Sequence, residues 1–130
     1  MRKFAQILLS CSLALLVVGV LDAPEAQART QYQKAMGKIY PKLLEKHGKK
    51  KGDTKKFDCT VCHAGKTKKK RNDYGAALAK ALGGKKVKDE DKIKKAFETV
   101  AKEKSTKDSK KTYGELIKDN KLPGTDKEAK

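Results

Sequence analysis

The residues Cys59-Thr60-Val61-Cys62-His63 place two thiols and an imidazole within five positions of a 130-residue chain. Two intervening residues let both sulfurs reach one edge of a flat ring from a single turn of chain. The adjacent histidine then presents a nitrogen to a metal at the centre of that ring. Cys-x-x-Cys-His is the spacing at which a c-type haem is attached through thioether bonds. The motif therefore predicts one covalently bound haem c per chain, with Cys59 and Cys62 as attachment residues and His63 as the proximal iron ligand.

Two other uses of a Cys-x-x-Cys pair fit this sequence less well. A zinc site needs two further ligands, but the chain has three cysteines and two histidines, and Cys11 lies in a segment that we expect to be removed. His63 lies too close to Cys62 to share a metal with it comfortably, which leaves His47 and carboxylates. A thioredoxin-like redox pair belongs in a βαβ setting, and no strand pattern surrounds this motif.

The N-terminus has the three parts of a secretory signal peptide. Arg2 and Lys3 give a positive start, an apolar run extends from Ile7 to Leu21, and Ala26-Gln27-Ala28 is a small-x-small cleavage site. An uncleaved membrane anchor is the alternative, because the apolar run is nearly long enough to span a bilayer. Covalent haem attachment takes place outside the cytoplasmic membrane in bacteria. The signal peptide and the haem-attachment motif therefore both predict a periplasmic or otherwise extracytoplasmic location.

Cleavage after Ala28 divides the chain into a signal (1–28), one haem-binding domain (29–124) and a polar tail (125–130) that we expect to be frayed. The mature chain of about 100 residues is the size of one small domain. Tryptophan is absent and aromatic residues are few, so the protein's own core is thin. An apolar haem would complete that core.

Apolar residues recur at helical spacing in four segments. In the first segment, the apolar residues share one helical face with His47. Pro41 predicts a kink or break in this helix, and Gly48 predicts its end. The other three helices begin at a cap formed by Asn72 or Asp73, at an acidic first turn, and at a capping box. Residues 48–56 and 102–111 are predicted to be loops. These patterns predict an all-α fold, a single domain of about four short helices around one covalent haem.

Glycine occupies the first turn of two predicted helices, at Gly75 and Gly114, and each glycine follows a tyrosine. Glycine in a helix costs helix propensity. It is expected where another backbone or a flat ligand comes close, and coincidence between two short helices is the alternative.

The charge of the chain bears on its partners. Lys and Arg number 33 against 16 Asp and Glu, for a net charge of +17. Such a surface is attracted to acidic redox partner proteins or to an anionic membrane surface, with strong salt dependence. Charge alone would also allow nucleic-acid binding, but export and the even spread of the lysines argue against it. No Ser/His/Asp arrangement and no paired acid and base point to an enzyme or to a small-molecule substrate.

Three possibilities remain for the second axial position of the iron. His47 lies 12 residues before Cys59 and would give bis-histidine ligation, with a surface histidine as the alternative. Met36 shares the same helical face, where a core position explains it more simply. The third possibility is an open position, filled by water, lysine or an exogenous ligand. A downstream methionine is excluded, because no Met and no His follows His63.

The motif resembles that of the c-type cytochromes. The chain from roughly Phe57 to Gly124 is similar to a group of small, exported, lysine-rich bacterial monohaem proteins. The matching positions after the motif are Asn72, Tyr74, Gly75, Leu78, Gly114–Ile117 and Leu122–Gly124. The resemblance implies a small helical cytochrome c-like fold and an electron-transfer role, and it implies no particular partner. A non-redox or ligand-binding haem module, such as a gas sensor or a structural haem subunit, is the alternative.

Overall fold

The computed structural model describes residues 24–65, 68–84 and 86–129, with side chains from residue 30 onward. These residues form five α-helices, one short 3₁₀ helix and a two-stranded sheet. In chain order they are α1 (Pro24–Ile39), α2 (Pro41–His47), β1 (Lys49–Lys51), β2 (Thr54–Lys56), the 3₁₀ helix (Cys59–Val61), α3 (Asp73–Leu82), α4 (Glu90–Ala101) and α5 (Tyr113–Lys118). The predicted signal, residues 1–28, lies outside the described residues except for the backbone at the start of α1.

The prediction of an all-α fold with about four short helices is wrong. The predicted loop 48–56 contains an antiparallel hairpin, in which Lys49 pairs with Lys56, Lys50 with Lys55 and Lys51 with Thr54. Gly52 has a positive φ of 65° at the tight turn between the strands. Five lysines in nine residues leave no hydrophobic alternation in the sequence. Because both strands are largely exposed, backbone pairing and the glycine turn define this hairpin, and burial does not.

Local signals did predict where the helices begin and end. Pro41 divides the first predicted helix, since α1 ends at Ile39 and α2 begins at the proline. Asn72, and not Asp73, caps α3 with its side chain. The acidic first turn of α4 and the capping box of α5 are confirmed, with Asp89, Thr112 and Glu115 as the capping residues. These features depend on neighbours within one turn, which is why the sequence specifies them.

The core lies where α4 packs against α1, α3 and α5. Phe97 and Val100 of α4 are almost fully buried, and the ring of Tyr40 meets Phe97 edge-on with centroids 6.2 Å apart. Phe57 and Val61 belong to the same core. The segment around the two cysteines is therefore anchored to the hydrophobic core on both sides of Cys59.

The polar C-terminal segment is tied to the start of α3. Thr125 donates to Asp73 Oδ1 from its backbone nitrogen at 2.7 Å and from its hydroxyl at 2.9 Å. The backbone nitrogen of Ala129 donates to the carbonyl of Arg71 at 3.0 Å. The expectation of a frayed tail is therefore wrong for residues 125–129, because these polar residues find partners far away in the sequence.

The Asp73 carboxylate joins three segments of the chain. It accepts hydrogen bonds from the Thr106 hydroxyl, from the Tyr113 hydroxyl at 3.1 Å and from Thr125. Partial burial by itself raises the pKa of Asp73, but these hydrogen bonds to the charged form outweigh burial and hold the pKa below its ordinary value. Ionised Asp73 therefore stabilises the folded state. This stability is present above the pKa of aspartate in the unfolded chain, about 3.9, and is lost as the pH falls through the lower folded pKa.

Asp73→Asn is expected to lower the free energy of unfolding at pH 7 by about 1–3 kcal/mol, because hydrogen bonds to a charged acceptor are lost. The difference from the wild type should begin to shrink below about pH 4, where aspartate in the unfolded chain becomes protonated, and should fall further as the pH drops through the lower folded pKa. Urea unfolding at pH 7 and pH 3 measures both effects. Asp119→Asn is the control, since Asp119 forms an exposed ion pair with Lys111 and should contribute less. If the wild type and Asp73→Asn differed in free energy of unfolding by as much at pH 3 as at pH 7, this explanation would be wrong.

Candidate functional site

Cys59–His63, called here the cysteine turn, is one tight turn of chain. The backbone nitrogens of Cys62 and His63 donate to the Cys59 carbonyl at 3.2 and 3.0 Å. Val61, between the cysteines, is 4 % exposed and points into the core, whereas Cys59, Cys62 and His63 are half-buried. The structure thus brings the three predicted site residues together on one short stretch, with a buried valine as its anchor.

The His63 ring is oriented by a backbone carbonyl. Its Nδ1 lies 3.1 Å from the carbonyl oxygen of Lys70, and the backbones of His63 and Arg71 form an antiparallel bridge. In the neutral tautomer that donates from Nδ1, the lone pair of Nε2 is free. Metal-binding histidines commonly donate their other ring N–H in this way. In that tautomer Nε2 is available to accept a hydrogen bond or to bind a metal.

The two thiols are free, and the state of Cys62 bears on their use. Burial raises the pKa of the Cys62 thiol to about 12, and the neighbouring Cys59 adds to the shift. Cys62 is therefore a protonated thiol at neutral pH. Gln33 of α1 lies 3.8 Å from Cys59 Sγ and 3.3 Å from the Phe57 carbonyl. The turn is thereby also linked to α1.

Asn72 is fully buried and connects the cysteine turn to α3. Its Nδ2 donates to the carbonyls of Thr60 at 3.3 Å and Val61 at 3.1 Å, and its Oδ1 accepts from the backbone nitrogen of Gly75 at 2.9 Å. Sequence reasoning predicted the cap and missed the contacts to the turn. The residue type itself could have indicated these contacts. Serine and aspartate cap a helix equally well, but only asparagine also has an amide that can donate to a second segment.

Gly75 allows the backbone of α3 to approach the cysteine turn. A Cβ at this buried position would lie 2.8 Å from the carbonyl carbon of Cys62 and closer still to its oxygen. Gly114 has the same place in α5 and lies against the Ala101 carbonyl. Of the explanations that the sequence left open for these two first-turn glycines, the structure supports close approach of another backbone.

Tyr74 places an unpartnered hydroxyl in this region. The residue is fully buried, and its hydroxyl has no hydrogen-bond partner among the described residues. Burial raises the pKa of Tyr74 well above its ordinary value, and the neighbouring Cys62 adds to the shift. A buried hydroxyl left unpaired costs about 1–3 kcal/mol. It therefore fits a site that is completed by a bound group carrying a polar atom.

The two candidates for a second axial ligand occupy other contacts. His47 ends α2, and its Nε2 lies 2.9 Å from the carbonyl oxygen of Asn120. Met36 is 2 % exposed and belongs to the core. His47 would have to leave Asn120 before it could bind a metal through Nε2. In the described part of the chain, no three His, Cys, Asp or Glu side chains form a metal-binding group.

A separate cavity of about 480 Å³ lies between α1 and α4. Its α1 lining includes Gln31, Lys34 and Lys38, which lie on the side of the helix opposite Gln33. Because Gln33 is the residue that reaches Cys59, the cavity and the cysteine turn lie on different sides of α1. None of the predicted site residues lines it.

No helix in the described ranges is long and apolar enough to cross a membrane. Comparison of the chain with protein-family models, with curated proteins and with solved structures gives no match.

Proposed function

We propose that this protein is an exported electron carrier that holds one haem c covalently, in the manner of a c-type cytochrome. The observation that carries the proposal is the geometry of the cysteine turn. Cys59 and Cys62 are free, half-buried thiols, and the contact of His63 Nδ1 with the Lys70 carbonyl leaves Nε2 for iron. This is the set of donors that a c-type haem uses. The unpartnered Tyr74 hydroxyl near Cys62 is consistent with a bound group that has polar substituents.

Cys59, Cys62 and His63 each have one task in this proposal. The thiols of Cys59 and Cys62 would hold the haem by adding across its two vinyl groups, with sulfur on one vinyl carbon and the thiol hydrogen on the other. No leaving group or oxidant is required for this addition. His63 Nε2 would ligate the iron, and the Lys70 carbonyl holds the His63 ring in position. When bound, the haem supplies a one-electron Fe(III)/Fe(II) couple, and no catalytic residue is needed.

The charge of the protein supports an acidic redox partner protein or an anionic membrane surface. The net charge is +17, and the lysine-rich hairpin ends at Lys56, three residues before Cys59. Lys50 and Lys51 are exposed on this hairpin. A partner attracted to these lysines would come near the cysteine turn, where electron transfer would take place. We place this encounter outside the cytoplasm, in line with the predicted signal peptide.

A ligand-binding haem module is the second candidate. It is favoured by the contact of His47 Nε2 with the Asn120 carbonyl, because His47 would be able to hold the haem iron only after that contact breaks. A low-spin, six-coordinate spectrum in both oxidation states would support the electron carrier. A five-coordinate ferrous form that readily binds carbon monoxide would support the ligand-binding module.

Covalent attachment is tested by extraction and mass. The native protein should keep its haem after denaturation and acid-acetone extraction, and its mass should exceed that of the bare chain by one haem. Cys59→Ala or Cys62→Ala should weaken retention, and the double variant should abolish it. Thr60→Ala is the control, because Thr60 is exposed between the cysteines and carries no thiol. Haem that extracts freely from the wild type would overturn the proposal.

A further inference from the structure

We infer that Asn72 is a positioning residue for haem attachment, because it fixes the shape in which the cysteine turn presents its two thiols and His63. The inference rests on the proposed function. It goes beyond that function by assigning a part in attachment to a buried residue outside the Cys-x-x-Cys-His motif.

Asn72 binds three consecutive carbonyl groups of the turn. Its side-chain Nδ2 donates to Thr60 and Val61, and its backbone nitrogen donates to Cys62 at 3.2 Å. The preceding carbonyl, that of Cys59, is paired within the turn itself. The turn is too short to satisfy its later carbonyls internally, as at the end of any helix. A single residue of another segment therefore completes its hydrogen bonding.

The C-terminal segment also packs against Asn72 and its side-chain amide. Gly124 lies against this amide and the Val61 carbonyl, with no room for a side chain between them. The backbones of Asn72 and Glu128 form an antiparallel bridge. Since Asn72 has no exposed surface, its amide cannot exchange the turn for water. Loss of the amide would leave a buried carbonyl unpaired, which would destabilise this shape of the turn.

Asn72 has two functions that substitution can separate. Its Oδ1 caps α3 through Gly75, and its Nδ2 holds the turn. Serine keeps a hydroxyl oxygen that can accept the capping hydrogen bond. It has no amide, and its shorter side chain cannot reach the carbonyls of the turn. Asn72→Ser should therefore preserve α3 and release the turn. Thr112→Ala is the matched control, because it removes the cap of α5 and leaves the cysteine turn intact.

The experiment compares the wild type, Asn72→Ser and Thr112→Ala as full chains expressed with haem-attachment machinery. We expect Asn72→Ser to lower the haem-loaded fraction several-fold, measured by mass, and to alter the spectrum of the remaining loaded protein. Thr112→Ala should lower the urea midpoint of unfolding, because it removes a helix cap, and should leave haem loading normal. Equal loading in Asn72→Ser and the wild type, or equal loss in the two variants, would overturn the inference.

Alkylation of haem-free chains by iodoacetamide separates this inference from the proposed function. Release of the turn should expose the half-buried Cys62 thiol to solvent, so Cys62 should react several-fold faster in Asn72→Ser than in the wild type. Thr112→Ala should react at the wild-type rate. If the wild type carries no haem, the proposed function fails and alkylation alone decides the role of Asn72. An unchanged rate in Asn72→Ser would show that the amide does not hold the turn.

Discussion

Gly75→Ala is expected to lower the free energy of unfolding by about 3 kcal/mol or more, a large effect for one methyl group. The new Cβ would meet the backbone of Cys62, 2.8 Å from its carbonyl carbon, and no side-chain rotation can relieve a clash between backbones. Either α3 or the cysteine turn must move, and both are anchored in the core. Chemical denaturation followed by circular dichroism measures the loss, and reduced haem loading should accompany it.

Gly84→Ala is the control for this prediction. The nearest atom to a Cβ at Gly84 is a methyl carbon of Val87 at 4.0 Å, which is an ordinary van der Waals contact. Alanine there should change stability by less than about 1 kcal/mol, partly by restricting the unfolded chain. Equal stability of the two variants would show that α3 does not rest on the cysteine turn.

His63→Ala is expected to leave the haem covalently attached and to remove its proximal ligand. In the proposed function the thioether bonds would be formed by Cys59 and Cys62, whereas iron would be ligated by His63 Nε2. The absorption spectrum should therefore change strongly while haem survives acid-acetone extraction. Added imidazole should restore much of the wild-type spectrum, because it replaces the missing ring. A wild-type spectrum in His63→Ala would contradict the assigned role.

His47→Ala is the companion variant and tests the sequence-based prediction of a second axial ligand. If His47 leaves the Asn120 carbonyl to bind iron, this variant should also change the spectrum. If its contact with Asn120 is its role in the loaded protein, the spectrum should stay the same and stability should fall by about 1 kcal/mol. Met36→Leu is then the next variant to examine, because leucine fills a similar volume without a sulfur.

The sequence predicted features that depend on near neighbours and missed those that depend on distant ones. The break at Pro41 and the capping box at Thr112 involve residues within one helical turn. The hairpin was missed because its strands have no buried face to produce alternation. The partners of Asn72 lie 11 and 12 residues away, and the partner of His47 lies 73 residues away. No periodicity encodes such pairs, although the motif itself located the candidate site.

The hairpin of β1 and β2 sets lysine opposite lysine at two successive pairs, Lys49 with Lys56 and Lys50 with Lys55. Like charges directly across two strands oppose their pairing. The ion pair of Lys49 with Asp58 and the hydrogen bond from Lys55 to the Glu45 carbonyl relieve part of this repulsion. Dissolved ions screen the remainder more strongly as ionic strength rises. The hairpin should thus be looser in dilute buffer and stiffer in salt. Attraction between this surface and an anion should change in the opposite direction, since salt weakens it.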